Sequence, residues 1–379
     1  MSSPRVVLAH DWLTGMRGGE RVLAELCRLF PDAPLYTLLR EPGAVSELIE
    51  ARRIVCSPLQ RLPPALRRRY RWLLPLMPAA VEALRLPPCD LVLSTSHCAI
   101  KAVRPPAGAR HLSYVFTPMR YVWDQSEAYF GQSRAGRGVR ALAGAGAPLL
   151  RAWDARTASR VDRFVAISRT VQDRIARAYG REAGLVYPPV ELDRFRPSPS
   201  PGPAGYYLMV TAFAPYKRVD VALEAFGRLG RPLKVVGGGQ QAERLRPLFG
   251  GPVEWLGPRA DAEVAELYAG CRAFVMPGEE DFGITPLEAQ ASGRPVIALG
   301  KGGVLETVLP LGGAEAPTGV LYDGEVDGLM EAVRRFESAE AAFRPEVCRR
   351  QAERFAPERF RREILAEVQG LLAAPPPRV

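Results

Sequence analysis

The chain has 379 residues, of which 47% are hydrophobic and 24% charged, and its formal net charge is +10. This length suits two domains of roughly 150 to 200 residues, and the composition excludes an intrinsically disordered chain. It contains no run of about 18 uncharged apolar residues and no secretory signal at its start, so we expect a cytoplasmic protein without a membrane-spanning helix. The six cysteines form no Cys-x-x-Cys pair, which argues against a zinc cage or a disulfide framework.

The positive charge comes from arginine, because only four of the 51 basic residues are lysines. An arginine excess favours anionic partners such as phosphate groups or a membrane surface. The arginines are scattered and accompany no nucleic-acid-binding motif, so we expect no nucleic acid partner.

Short apolar runs typical of β-strands alternate with helical segments in the first half. Strands are predicted at RVVLA, LVLST, HLSYVF and RFVAIS, with a helix from Glu20 to Phe30. The same alternation resumes at Tyr206 with YYLMVT, LKVV, VEWL, AFVM and PVIAL. This order predicts parallel sheets wound on both faces by helices. One of these helices should bury a stripe formed by Val219, Ala222, Leu223, Phe226 and Leu229.

The segment RPSPSPGPAG, Arg196 to Gly205, is too rich in proline and glycine to form an element, and we interpret it as a hinge. The predicted fold class is α/β, with two domains that are each built on a parallel sheet. The domains are expected at residues 1–197 and 198–356, and residues 357–379 should form a C-terminal helix and a frayed tail.

The stretch QRLPPALRRRYRWLLPLMP, residues 60–78, mixes arginines with large apolar side chains. This mixture suits an anionic membrane interface, which would make the protein peripheral at the inner face of the cell membrane. A solvated helix face beside a core segment explains the same pattern.

Three carboxylates, Glu279, Glu280 and Asp281, precede a predicted helix that starts near TPLE. Thr285 and Glu288 fit a capping box, with Thr285 as N-cap and Glu288 reaching back to it. A helix start beyond a strand end also offers backbone N–H groups and a positive dipole end to phosphate oxygens. Gly283 would let a ligand approach the backbone, and Glu280 and Glu288 could accept hydrogen bonds from sugar and ribose hydroxyls.

The frame EDFGITPLEAQASGRPVIA, in which seven residues separate Glu280 from Glu288, resembles the Glu-x7-Glu motif of the family 4 retaining glycosyltransferases. Further blocks resemble that family in the same order: HDWLTGMRGGERVL, TPMRYVWD, YPPVELDRF, PYKRVDVALEAF, VVGGG, WLGPRADAEVAELYAGC and GGVLETV. The resemblance covers about residues 5 to 360. It implies the GT-B fold, in which two Rossmann-like domains face a central cleft, the second domain holds most of the nucleotide sugar and the C-terminal helix returns to the first domain.

The resemblance also implies roles for particular residues. Lys217 and Glu280 would be catalytic, with Lys217 assisting departure of the diphosphate and Glu280 contacting the sugar. The implied donor-binding residues are Arg218, Phe282, Gly283, Ile284, Thr285, Glu288, Gly18, Gly19 and Leu256. The implied acceptor or cleft residues are His10, His97 and Arg120.

Two positions depart from the family pattern. Ala212 stands where many relatives carry an arginine, and Phe116 stands where the family carries a histidine beside the transferred sugar. The front-face retaining substitution that the resemblance implies should survive the loss of the histidine, because the departing phosphate itself takes the proton of the acceptor. The sequence contains no Asp-x-Asp triplet, so we expect no metal and no other cofactor.

The leading hypothesis is transfer of a hexose, mannose from GDP-mannose, to a lipid-linked or polysaccharide acceptor. The choice of mannose comes from the resemblance of PYKRVD and TPMRYVWD to bacterial O-antigen and capsule mannosyltransferases. A nucleotide-sugar 2-epimerase and a non-catalytic sugar- or membrane-binding scaffold are the alternatives. The sequence does not determine the base, the acceptor, the linkage or the oligomeric state.

Overall fold

The computed structural model describes residues 4–120, 122–123, 137–197, 205–239, 242–248 and 250–375. Most of the predicted hinge, residues 198–204, and the end of the predicted tail, residues 376–379, lie outside these residues. The chain divides into two compact units, Met1–Pro188 with Phe360–Val379, and Pro189–Arg359.

The first unit contains a parallel sheet of seven strands in the order β3-β2-β1-β4-β5-β6-β7. Its strands are β1 Val6–Leu13, β2 Leu35–Arg40, β3 Ile54–Cys56, β4 Leu91–Ser96, β5 Arg110–Val115, β6 Arg163–Ala166 and β7 Ala183–Leu185. Its α-helices are Gly18–Leu29, Glu47–Glu50, Pro64–Arg67, Met77–Glu82, Arg137–Thr157 and Arg169–Tyr179, with 3-10 turns at Pro58–Arg61, Tyr70–Leu76, Ile100–Ala102 and Ala158–Arg160.

The second unit contains a parallel sheet of six strands in the order β10-β9-β8-β11-β12-β13. Its strands are β8 Tyr207–Val210, β9 Leu233–Val236, β10 Val253–Gly257, β11 Phe274–Met276, β12 Val296–Leu299 and β13 Gly319–Tyr322. Its α-helices are Val219–Leu229, Ala242–Leu245, Asp261–Gly270, Ile284–Ala291, Val304–Thr307, Val326–Ser338 and Pro345–Glu353, with 3-10 turns at Leu192–Arg194, Pro215–Lys217, Arg246–Leu248 and Glu340–Ala342.

Alternating side chains of the second sheet enter two separate cores, as expected for a sheet covered on both faces. On β8, Tyr207 and Met209 belong to one apolar cluster and Leu208 to the other. The predicted stripe of the helix Val219–Leu229 is confirmed, because Val219 and Phe226 are fully buried in the first of these clusters.

The last helix, Pro357–Ala373, packs against the first unit, as predicted. The ring of Phe360 meets Tyr114 at 5.7 Å, Arg163 Nε donates to Glu367 Oε2 at 2.8 Å, and Arg361 donates to Glu25 at 2.6 Å. Among the described residues, none of the helices combines the length and the apolar content needed to cross a membrane.

Residues 189–197, which the sequence assigned to the first domain, lie with the second unit. The N–H of Val190 donates to the carbonyl of Phe355 at 2.9 Å, and the ring of Phe195 packs on Tyr268 at 5.8 Å. The boundary predicted after Pro197 therefore lies nine residues beyond the boundary between the two units, which falls after Pro188. The prediction used proline and glycine content, which carries no information about these contacts.

His111 on β5 is a fully buried structural histidine. Its Nδ1 lies 3.0 Å from the carbonyl oxygen of Arg160, and its Nε2 lies 2.8 Å from Ser94 Oγ. Burial lowers the pKa of His111 from 6.5 to about 4, because the charged ring would lose its water.

We therefore expect a histidine-dependent loss of stability in acid. Between pH 6.5 and about 4 the unfolded chain binds one more proton at this position than the folded chain. The free energy of unfolding should fall by about 3 kcal/mol across this window, and His111→Gln should remove that part of the fall. Urea unfolding of both proteins from pH 7 to pH 4 measures the difference, and curves that run parallel would contradict it.

Candidate functional site

The order of the strands reverses between β1 and β4 and again between β8 and β11. Parallel α/β sheets bind ligands at such switch points, outside the carboxyl ends of the strands, because helices on the two sides leave in opposite directions. Most of the predicted site residues follow these four strands.

In the second unit, the acidic loop leaves β11 at Met276 and enters the helix Ile284–Ala291 at Gly283. Gly283 is the N-cap and has φ 86°, a left-handed conformation that glycine adopts without a Cβ clash. The predicted cap at Thr285 is therefore wrong, since the helix starts one residue before it. Pro286 occupies the third helical position, where its missing N–H costs no intrahelical hydrogen bond.

Glu288 does not complete a capping box, because no side chain caps this helix. Its carboxylate is buried and accepts a hydrogen bond from the Tyr268 hydroxyl at 3.1 Å. Burial first, and then the charge of Glu288, raises the pKa of Tyr268 well above its usual value. The N-cap glycine contributes no side-chain oxygen, so the first turn is not closed by a side-chain cap at the place where the sequence predicts phosphate binding.

The structure brings Lys217 and Glu280 together. Lys217 Nζ forms an ion pair with Glu280 Oε1, and both side chains are less than one fifth exposed. Lys217 ends the 3-10 turn Pro215–Lys217 after β8, and its ammonium lies 5.0 Å from the centre of the Tyr216 ring. Glu280 follows β11, the strand that pairs with β8. The two residues predicted to be catalytic thus meet at the switch point of the second sheet.

Gly278 permits this pairing by close backbone approach. A Cβ at this position would lie 2.5 Å from the carbonyl oxygen of Tyr216 and 2.7 Å from Lys217 Cα. On the other side of the loop, the N–H of Gly303 donates to the carbonyl oxygen of Glu280 at 2.9 Å. The acidic loop is therefore held between the turn that carries Lys217 and the glycine turn after β12.

Arg218 is engaged elsewhere in the second unit. Its guanidinium donates to both carboxylate oxygens of Glu325, one contact being 2.9 Å, and lies 3.7 Å from Asp220. The hydrogen bond to Glu325 raises the pKa of Arg218. Among the described residues it is the only non-glycine residue with positive φ, 49°, at the N-cap of the helix Val219–Leu229. Leu256 lies half-buried on the edge strand β10 and packs on the apolar cluster beneath it.

In the first unit, Asp11 organises the switch point. This fully buried carboxylate on β1 accepts four backbone hydrogen bonds of 2.7 to 2.9 Å from the turn that follows β4. The donors are the N–H groups of His97, Cys98, Ala99 and Ile100. Asp11 was not among the site residues predicted from the sequence, although a charged residue inside the strand sequence VVLAHDWL is a signal for a buried polar role.

His10 and His97 occupy different environments. The His10 side chain is fully buried, with Nδ1 2.7 Å from Thr95 Oγ1 and Nε2 3.8 Å from Glu20 Oε1. Burial raises the pKa of Glu20, but the neighbouring His10 ring outweighs burial and lowers that pKa overall. His97 is 28% exposed, so a ligand can reach His97 and not His10.

Gly18 and Gly19 are the first two residues of the helix Gly18–Leu29, whereas the sequence predicted a helix that starts after them, at Glu20. The N–H of Arg17 donates to Glu20 Oε2 at 3.0 Å and so fixes the helix start. A Cβ on Gly19 would lie 3.4 Å from the Phe116 ring, which places Phe116 directly over the start of this helix. Arg120 is half-buried at the end of the segment that follows β5.

Both sheets have the strand order of Rossmann-like domains, and two Rossmann-like units define the GT-B fold class. A solved structure of sucrose-phosphate synthase from Thermosynechococcus elongatus matches 98% of this chain and 100% of its own with a TM-score of 0.72 at 17% identity. HepE from Anabaena in complex with UDP matches 97% of this chain and 100% of its own with a TM-score of 0.69 at 16% identity. These likenesses establish the fold.

Two family models match consecutive parts of the sequence. Glycosyltransferase Family 4 matches residues 16–194, and Glycosyl transferases group 1 matches residues 192–355. The chain belongs to the family 4 glycosyltransferases. It is 31% identical over 217 residues to a GDP-mannose-dependent alpha-(1-6)-phosphatidylinositol monomannoside mannosyltransferase of Mycobacterium tuberculosis, covering 49% of this chain and 55% of that protein. The chain thus spans about half the length of the curated relatives it matches.

The close approach at Gly278 predicts that Gly278→Ala will separate the acidic loop from the turn carrying Lys217. We expect a loss of about 1 to 3 kcal/mol in the free energy of unfolding, because the added methyl group would overlap backbone atoms. Gly227→Ala is the matched control, since that exposed helical glycine has no atom within 4 Å of an added Cβ and should gain roughly 0.5 to 1 kcal/mol. Urea unfolding measures both, and equal stability of the two variants would contradict the prediction.

Proposed function

We propose that this chain is a retaining hexosyltransferase that moves mannose from GDP-mannose to a lipid-linked or polysaccharide acceptor without a metal ion. The observation that carries the proposal is the pairing of Lys217 with Glu280 beside the helix start at Gly283. One cation, one sugar-binding carboxylate and backbone N–H groups then converge on a single switch point, as a diphosphate sugar requires.

In the proposed reaction, the bond between the anomeric carbon and the phosphate oxygen breaks and GDP leaves. The acceptor oxygen bonds to the same face of the anomeric carbon, and its proton passes to the departing phosphate. Lys217 and the first turn of the helix Ile284–Ala291 would stabilise the negative charge that develops on the diphosphate. Glu280 would orient the sugar, and Glu288, held by Tyr268, would accept a hydrogen bond from the ribose.

The choice of mannose is supported by the GDP-mannose-dependent relative, whereas the HepE structure contains UDP. Thermal-shift assays with GDP-mannose and UDP-glucose distinguish the two donors. A donor present at 100 times its Kd should add about 2.7 kcal/mol of stability. If neither nucleotide sugar raises the melting temperature, the proposed donor site is wrong.

Lys217→Ala should lower kcat for transfer by about 100- to 1,000-fold, because the charge leaving with the diphosphate loses its cation. Glu280→Ala should remove donor turnover while the protein remains folded. Lys234→Ala is the matched control: Lys234 also pairs with a glutamate, Glu254 at 3.3 Å, but it lies within β9, away from the switch point. Full turnover in Lys217→Ala or Glu280→Ala would exclude the proposed roles and favour a scaffold.

The same assay, run in EDTA and with the product identified, tests the remaining parts of the reaction. Transfer should continue in EDTA, and its loss with recovery on adding magnesium would contradict a metal-independent reaction. A 2-epimerase would release an altered donor sugar with no added alcohol, whereas the transferase forms a glycoside with the starting anomeric configuration.

We also propose that residues 60–78 bind an anionic membrane surface that carries the acceptor. Leu66, Trp72 and Leu76 are 47%, 65% and 51% exposed, while Leu73 and Met77 of the same stretch are buried. The buried side chains of Leu73 and Met77 thus hold the stretch on the first unit, while Leu66, Trp72 and Leu76 face solvent. Arg61, Arg68 and Arg69 of the stretch are exposed. Apolar side chains beside basic ones suit the interface of an anionic bilayer.

Wild-type protein should bind vesicles that contain anionic lipid more tightly than neutral vesicles, and salt should weaken this binding. Trp72→Ala combined with Leu76→Ala should reduce binding by at least tenfold. Leu305→Ala, which truncates a leucine that is 58% exposed in the second unit, is the control and should bind normally. Cosedimentation measures all three proteins, and equal binding to neutral and anionic vesicles would reject the proposal.

A further inference from the structure

The turn after β4 presents His97 at the carboxyl end of the first sheet. His97 immediately follows β4, and its side chain is 28% exposed while Asp11 beneath it is fully buried. The four backbone hydrogen bonds that Asp11 accepts fix this turn to β1. A charged acceptor makes each of these bonds stronger than one between neutral groups, so the position of His97 is set by buried structure and not by a surface loop.

The imidazole ring is oriented as well as positioned. Its Nδ1 lies 3.4 Å from Asp11 Oδ2, and its ring meets the Trp12 ring edge-on with centroids 4.4 Å apart. Phe116 lies on another side, with ring centroids 6.1 Å apart. With Nδ1 facing the buried carboxylate, Nε2 is the ring nitrogen that can meet a ligand.

The surroundings of His97 suit an uncharged, hydroxyl-bearing ligand. The half-buried Phe116 supplies apolar ring surface near the imidazole, and the carboxylates of Asp11 and Glu20, which outnumber the one nearby guanidinium, Arg17, disfavour a phosphate group. A sugar offers both an apolar face and hydroxyl donors. This local chemistry therefore favours a saccharide.

We propose that His97 Nε2 accepts a hydrogen bond from a substrate saccharide hydroxyl and that Asp11 acts as the positioning residue for His97. The inference deepens the proposed function and rests on it, since it assigns the first unit a direct contact with the acceptor saccharide. It also supplies a polar group beside Phe116, whose own side chain offers none.

The protonation state of His97 agrees with an acceptor role. Burial lowers the pKa of His97, and the charges facing it act in both directions: Asp11 and Glu20 raise that pKa, whereas His10 and Arg17 lower it. The lowered pKa favours the neutral ring, and the Asp11 carboxylate beside Nδ1 favours the tautomer with its proton on Nδ1, so Nε2 can accept a hydrogen bond. Protonation in acid would convert Nε2 from an acceptor to a donor, so kcat/KM should fall below pH 6.5.

The test compares transfer by the wild-type protein, His97→Ala and His97→Gln, with His111→Gln as the matched control for replacing a buried histidine remote from the turn. His97→Ala should lower kcat/KM by about tenfold or more, because a substrate hydroxyl loses its partner. The thermal shift given by GDP-mannose should stay the same. His97→Gln should recover part of the activity, and its pH profile should lack the fall in acid, because an amide oxygen accepts but does not titrate.

Asp11→Asn tests the positioning role through a different readout. Removing the negative charge that raises the pKa of His97 should move the fall in kcat/KM to lower pH. If Asp11→Asn does not fold, the kcat/KM values and pH profiles of His97→Ala and His97→Gln test the proposal without it. If His97→Ala transfers sugar within twofold of the wild-type rate, the role of His97 is wrong and the proposed function stands. If the wild-type protein neither transfers sugar nor binds a donor, the proposed function and the role of His97 are both wrong.

Discussion

The reversal of strand order in each parallel sheet is the constraint on which the candidate site depends. At β1 and β4, and again at β8 and β11, the chain leaves the carboxyl edge of the sheet in opposite directions. The edge between the diverging segments cannot be covered by the helices that cover the faces. Polar groups placed just after these four strands therefore stay within reach of a ligand while the strands below them form continuous apolar cores.

Each unit has a carboxylate at its switch point whose negative charge needs a partner, and the partners differ between the two units. Asp11 satisfies its charge with four backbone N–H groups and so fixes a turn. Glu280 satisfies its charge with the ammonium of Lys217 and so joins two loops. A backbone-bonded carboxylate is permanent structure, whereas an ion pair between side chains can exchange its partner for a charged ligand. The first arrangement suits the positioning of a neighbour, and the second suits direct contact with substrate.

The sequence predicted the layers better than the details of the site, for identifiable physical reasons. The stripe from Val219 to Leu229 follows from a local period of 3.6 residues, so it could be recognised without tertiary information. The true helix cap could not be recognised in this way, because it is Gly283 in a left-handed conformation, and the helix starts before Thr285. The importance of Asp11 depends on a turn 86 residues away, which a linear pattern does not report.

The net charge of +10 turns out to be a poor guide to the candidate ligand site. The cationic groups nearest the predicted diphosphate position already have carboxylate partners, Glu280 for Lys217 and Glu325 for Arg218. Local balance, not total charge, sets the potential that a ligand meets at close range, because solvent screens charges more than about 10 Å away. Binding of a diphosphate would then require Lys217 and Arg218 to exchange carboxylate partners for phosphate oxygens, so Glu280 and Glu325 would also influence its affinity. The net excess of arginine suits attraction to an extended anionic surface, where many charges act together.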